Sequence, residues 1–252
     1  MRYNGGKNYT IKRWGMGDFW REYLASVPVT RFVDGCVGSG AVASFVASIR
    51  PDLGVVCNDV HPAAVALLRG VAHEGFKPPT TLTIEEYTAL KVRMQAGEVT
   101  PLIGFAGFGA AYGGSYFAGY AKDSPGTPNL VAGSAKTITA KGRNLARAEF
   151  HCVDYSALPD AIGVRPGDVW YFDKPYEGTT GYPGTPDFDH TRFWTWAADL
   201  SQSVRVLVSE FTAPCGWAPI WSVKRKLESR GKGGAIVERV DQVFTLASQG
   251  DL

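Results

Sequence analysis

The sequence predicts an α/β protein with a mostly parallel sheet of seven strands, helices on both faces and one inserted subdomain. Three observations carry this expectation. Short apolar runs bounded by glycine, proline or an acid recur along the chain, and segments of helical spacing separate several of them. Strand–helix alternation over such a length builds a parallel sheet. The alternation breaks once, between about Gly75 and Ala148, where glycine, aromatic and basic residues dominate.

The runs read as buried strands are Arg31–Cys36, Gly54–Asn58, Glu149–Cys152, Asp168–Phe172, Val204–Ser209, Ile220–Lys224 and Ala235–Leu246, the last long enough to hold a bend. Helical spacing marks Ala41–Arg50, Pro62–Glu74, Glu85–Ala96 and His190–Ser201. Residues 1–74 and 149–252 are therefore assigned to the core and 75–148 to the insert. A segment that long between core strands is either a subdomain or a poorly ordered excursion, and its aromatic content favours the subdomain.

Composition narrows the class. With 45% hydrophobic residues in 252, the chain is globular rather than fibrous or disordered. It holds no run of eighteen apolar residues, and its start is polar, so neither a membrane span nor a leader is expected. Cys36, Cys57, Cys152 and Cys215 lie far apart without a C-x-x-C pair, which predicts reduced thiols, a cytoplasmic setting and no metal. There are 26 basic and 24 acidic residues, so a polyanion must be met by a local patch. Two clusters offer one: Lys136, Lys141, Arg143 and Arg147, and Lys224, Arg225, Lys226, Arg230 and Lys232. An ordinary solvated basic face is the alternative.

Three strand ends carry the chemistry. Phe32-Val33-Asp34-Gly35-Cys36-Val37-Gly38-Ser39-Gly40 ends a strand in an acid and turns through glycines into a helix. Gly38 and Gly40 would let a ligand approach the backbone at a helix N-terminus, although a purely structural turn reads the same. Asp59 closes the next strand and suits a ribose diol or caps the helix after it. Asp173-Lys174-Pro175-Tyr176 follows a third buried strand, placing an acceptor beside a rigid aromatic at the ligand-binding edge of such sheets. A solvent-exposed turn is the plainer reading.

Taken together these residues resemble the DNA adenine-N6 methyltransferase family of bacterial Dam-type enzymes, and phage-encoded members in particular, nearly end to end. Tyr3-Asn4-Gly5-Gly6-Lys7 resembles its N-terminal motif, which implies that Tyr3, Gly6 and Lys7 approach the cofactor's methionine part. Asp34, Gly38 and Gly40 match its first cofactor motif and Asp59 its ribose acid. Asp154 and Tyr155 resemble the pair that holds the cofactor's adenine. Asp173-Lys174-Pro175-Tyr176 stands where the family has Asp-Pro-Pro-Tyr, and the segments Tyr112–Tyr120, Phe188–His190 and Val208–Pro214 resemble phage members.

The resemblance implies a Rossmann-like class I methyltransferase sheet, an insert that recognises the target, S-adenosylmethionine as cofactor without metal, double-stranded DNA as partner and adenine N6 as acceptor. A monomer is expected, and no restriction endonuclease partner is indicated. Lys174 departs from the motif and leaves three readings. Its ammonium points to DNA or solvent; it marks an impaired DNA-binding homologue; or it faces a carboxylate on carboxy-S-adenosylmethionine, making the product N6-carboxymethyladenine. A methyltransferase acting on protein glutamine or a small molecule is a further rival.

Overall fold

The computed structural model describes residues 6–121, 129–179, 188–228 and 236–247. Its helices and strands run α1 (Asn8–Arg13), α2 (Met16–Ser26), β1 (Arg31–Asp34), α3 (Ala41–Ile49), β2 (Gly54–Asn58), α4 (Pro62–Ala72), α5 (Ile84–Gln95), α6 (Pro101–Gly109), α7 (Leu130–Asn144), β3 (Glu149–His151), α8 (Leu158–Ile162), β4 (Asp168–Phe172), α9 (His190–Leu200), β5 (Arg205–Glu210), β6 (Trp217–Glu228) and β7 (Ile236–Leu246).

The strands form one sheet of order β3-β2-β1-β4-β5-β7-β6. β1 to β5 pair in parallel, and β7 runs antiparallel between β5 and β6. This is a seven-stranded, mostly parallel, Rossmann-like sheet, as the sequence predicts. Strand order reverses between β1 and β4, and that switch point is where open α/β sheets bind ligands.

β2 and β4 match the sequence expectation residue for residue, because central parallel strands are buried on both faces and read as unbroken apolar runs. β6 is much longer than Ile220–Lys224. Its pairing to β7 carries a register shift between Pro219 and Trp221, so the bend expected in the last strand lies in its partner.

Arg31 and Asp168 open the neighbouring strands β1 and β4 and pair behind them. Arg31 donates to Asp168 through Nε at 2.9 Å and Nη2 at 2.6 Å, and Asp168 also accepts from the Arg165 amide and the Trp170 indole. Both side chains are almost completely buried.

The described residues of the 75–148 region carry three helices, α5, α6 and α7. Thr83 and Glu86 form a capping box that starts α5, Thr100 with Pro101 starts α6, and Asn129 caps α7. These helices share one hydrophobic cluster with β2 and α4. Val55, Cys57, Ala63 and Leu67 pack with Ile103, Phe105, Phe108, Val131 and Ile138. The glycines of α6, which gave its segment no helical spacing in the sequence, are packing residues. A Cβ on Gly104 would stand 2.3 Å from the Ala63 carbonyl oxygen, so glycine lets α6 lie directly on α4. Most of the aromatics of this region are consequently core, whereas Tyr112 is exposed. Among the described residues no helix is long and apolar enough to cross a membrane.

Candidate active site

A cavity of about 300 Å³ opens at the carboxyl ends of β1, β2 and β4. Gly6, Lys7, Asp34, Gly38, Asp59, Asp154, Tyr155, Asp173 and Pro175 all line it, so the structure brings most of the sequence-predicted residues to one place. Tyr3 lies outside the described residues.

Asp34 ends β1. One carboxylate oxygen accepts from the Ala43 amide at 3.3 Å; the other, Oδ1, is buried with no donor in hydrogen-bonding geometry. Burial pushes its pKa well above the usual carboxylate range, and the negative charges of Asp173 and Asp59 add to the shift. Asp59 sits at the wall with both oxygens held, one by the Gly38 amide at 2.8 Å and one by the His61 amide at 2.9 Å. It is therefore not the cap of α4, whose N-cap is His61. Burial raises its pKa, and these two amides oppose the rise.

Gly40 is a correction. It does not line the cavity. It adopts φ +68° at the start of α3, and a Cβ there would meet Leu68 at 2.9 Å, so it serves the turn and the packing behind it. Gly38, also at positive φ, is the glycine that faces the cavity.

Asp154 caps the short 3-10 turn that follows it, accepting from the Ser156 amide and hydroxyl. Tyr155 packs among Phe188, Phe193 and Trp196. Sequence reading missed Asn58, which joins the turns after β1 and β3. Its amide nitrogen donates to the carbonyls of Gly35 and Val153, and its oxygen accepts from the Val153 amide. An asparagine at a strand end was the only signal.

Asp173 leaves β4 into the cavity wall. The Lys7 ammonium donates to it at 2.5 Å and lies 4.7 Å from the centre of the Tyr176 ring. Lys7, expected at the methionine part of a cofactor, lines the cavity with its ammonium seated between the acid and the aromatic. Burial pulls the lysine's pKa down, but the Asp173 charge, the Tyr176 hydroxyl and the hydrogen bonds to both together raise it above its usual value, so it stays protonated. Burial raises the Asp173 pKa, and Lys7 opposes the rise. Tyr176 stands edge-on to Phe211 at 4.6 Å.

Lys174 overturns an expectation. It does not line the cavity; it is 1% exposed, and its ammonium donates to Glu210, itself buried at the end of β5. That ammonium faces neither DNA, solvent nor the transferred carbon, so the observation that motivated a carboxylated cofactor is gone.

The basic clusters divide as well. Lys136, Arg143 and Lys224 are exposed, whereas Arg225 pairs with Asp241 at 2.8 Å and covers Trp14. Arg230 and Lys232 lie outside the described residues, as does the side chain of Lys226. Lys141 is no phosphate contact. It is buried, and its ammonium donates to the Ser39 carbonyl at 2.6 Å and hydroxyl at 3.2 Å beneath the glycine turn. Burial pushes its pKa down from 10.5 to about 7, with Lys12 adding to the fall and Asp34 opposing it. Between about pH 7 and 10 the unfolded chain thus binds a proton the folded chain lacks, so stability should rise with pH across that window. Lys141→Met should flatten this rise. Urea midpoints at several pH values for both proteins test it, and parallel curves would remove the assignment.

Among the described residues, five acids lining the cavity, Asp34, Asp59, Asp154, Asp173 and Asp189, face two side-chain cations, Lys7 and Arg192. That balance suits a ligand carrying positive charge, as S-adenosylmethionine does in its sulfonium and ammonium groups. Among the described residues no group of three or more His, Cys, Asp or Glu side chains is placed to hold a metal ion.

No protein-family model matches the chain, and no curated protein matches it. Among solved structures it is similar to the rRNA methyltransferase aviRa from Streptomyces viridochromogenes, at 17% identity and a TM-score of 0.42 over 92% of this chain and 83% of that one. It is similar to TrmN from Thermus thermophilus at 13% identity and 0.39, where 92% of this chain covers 48% of the other, about half its length. Precorrin-6y C5,15-methyltransferase from Geobacter metallireducens GS-15 gives 8% identity and 0.42 over 97% and 93%.

Proposed function

We propose that this chain is an S-adenosylmethionine-dependent enzyme that methylates adenine N6 in double-stranded DNA. The observation that carries the reading is the slot between Asp173 and Tyr176. An N–H donor, the Lys7 ammonium, already occupies it, bonded to the carboxylate and lying near the ring. An adenine amine presents the same pairing of N–H donors with an aromatic-facing body.

When bound, the cofactor supplies an electrophilic carbon next to a sulfonium. The chain supplies position. Asp34, Asp59, Asp154 and Tyr155 hold the cofactor from the β1, β2 and β3 side. On the β4 side, Asp173 accepts one N–H of the target amine and the Lys174 carbonyl the other, turning the nitrogen lone pair outward for in-line attack. Lys7 yields the carboxylate as the base enters. Drawing the adenine out of the duplex costs a few kcal/mol, and stacking on Tyr176 returns roughly 1–3 kcal/mol. Exposed Lys136, Arg143 and Lys224 are assigned to phosphate.

Mass spectrometry of nucleosides after incubation with S-adenosylmethionine and mixed-sequence duplex DNA tests the proposal, with ribosomal RNA and protein as competing acceptors. N6-methyladenine in DNA is expected. Label confined to RNA or protein overturns the substrate, N6-carboxymethyladenine formed with the carboxylated cofactor overturns the transferred group, and duplex binding without transfer makes the chain a binding module.

Asp59→Ala should weaken cofactor affinity about ten- to hundredfold, the worth of a charge-assisted hydrogen bond of roughly 1.5–3 kcal/mol. Transfer at saturating cofactor should change by only a few fold. Calorimetric titration and single-turnover assays measure the two, and unchanged affinity would leave Asp59 as a brace of the Gly38 turn alone.

A further inference from the structure

Glu210 touches the 173–177 segment at two points and braces its own strand end at a third. Its Oε2 accepts from the Lys174 ammonium and from the Glu177 amide at 3.1 Å. Its Oε1 accepts from the amide of Phe211, the ring on which Tyr176 stands edge-on at 4.6 Å. Lys174 is enclosed in turn. Its Nζ lies 3.2 Å from His190 Nδ1, and the rings of Phe188, Phe193 and Trp194 surround it at 5.4–5.7 Å. Neither side chain of the pair reaches solvent. Two charges are thus buried beside the site and neutralise each other there.

We propose that Lys174 and Glu210 are a matched pair of positioning residues, whose buried ion pair fixes the loop that presents Asp173, the Lys174 carbonyl and Tyr176. This rests on the reading of Asp173 and Tyr176 as the target-binding groups. The mechanism is a clamp from behind. β4 and β5 are neighbours in the sheet, so the end of β5 is a fixed point beside the chain leaving β4. Glu210 holds that chain one residue after Asp173, by a side chain, and four residues after it, by the backbone. Asp173 and Tyr176 lie at either side of the first hold, and neither end of the segment 174–177 is free to swing. A proline at 174 would stiffen the same step by closing φ within its ring. Here the stiffness comes from a partner thirty-six residues away.

Such a pair has a signature that a structural role for either residue alone lacks. Removing one partner strands a buried charge, whereas removing both does not. Lys174→Met and Glu210→Gln should each lower single-turnover transfer at saturating cofactor by at least about tenfold, with cofactor affinity changed less than threefold. The double variant should regain most of the loss, since Glu210→Gln keeps a side-chain oxygen for the Glu177 amide. Lys174→Pro should be impaired alone and improved by Glu210→Gln.

The second readout is amide hydrogen exchange over 173–177 in the cofactor-free protein. Each single variant should exchange about tenfold faster there and the double variant more slowly than either, with the rest of the sheet unchanged. Exchange needs no substrate, so it reports on the clamp even if transfer to DNA is never seen, which would overturn only the proposed function. Near wild-type transfer and exchange in both folded single variants would overturn the clamp. So would singles that lose both and a double that regains neither.

Discussion

Asp173→Ala is expected to lower single-turnover transfer about a thousandfold while cofactor affinity stays within a few fold. The carboxylate is the group that orients the target amine, and loss of one preorganised polar partner in a reacting site typically costs ~10²–10³ in rate. Misplacement of the nitrogen adds to that loss, since catalysis by positioning is steep in distance. Alanine also strands the Lys7 ammonium, which is 7% exposed and pairs with this acid. Asp173→Asn therefore belongs in the same experiment. It keeps the shape and one acceptor oxygen, so it should fold as the parent does and keep part of the rate. Near wild-type transfer by a folded Asp173→Ala protein would remove Asp173 from the site.

The largest effect on stability is expected from Arg31→Met, at about 3–5 kcal/mol. Besides its two bonds to Asp168, Arg31 donates through Nη2 to the Gly163 carbonyl. Methionine fills much of the volume but leaves the Asp168 carboxylate buried with only the Arg165 amide and the Trp170 indole as donors. The pair lies at the amino ends of β1 and β4, whereas the cavity lies at their carboxyl ends. Transfer at low temperature should thus survive in the fraction that remains folded. Urea unfolding measures the loss, and a cost below about 1 kcal/mol would show that water or a shifted backbone satisfies Asp168.

How far such features were legible in the chain depended on how local their causes are. β2 and β4 were legible because burial on both faces makes a strand uniformly apolar. Asp34, Asp59 and Asp173 were legible because an acid ending an apolar run is visible within a few residues. α6 was hidden by glycines whose reason is α4, a partner met only after folding. Lys174 and Lys141 carry the same lesson in charge. Each looks like a solvated cation in its own neighbourhood, and each is buried against an acceptor, Glu210 or Ser39, that is 36 or 102 residues distant. Nothing near either lysine announces its partner, and the departure at position 174 makes sense only beside Glu210.

The strand order also sets how the chain tolerates changes of length. Asp59, Asp34, Asp173 and Glu210 stand at the tips of β2, β1, β4 and β5, four neighbours in one sheet. Adjacent strands lie ~4.8 Å apart and each residue advances ~3.3 Å, so the sheet is a ruled grid on which these acids hold fixed coordinates. Deleting one residue within β1 would withdraw Asp34 by ~3.3 Å and turn alternate side chains to the opposite face. Deleting one between Gly75 and Pro79, upstream of the α5 cap, would move no ruling of that grid. Insertions and deletions in the strands and in the surface turns should therefore differ in kind, the former erasing the site at a stroke and the latter passing unnoticed by it.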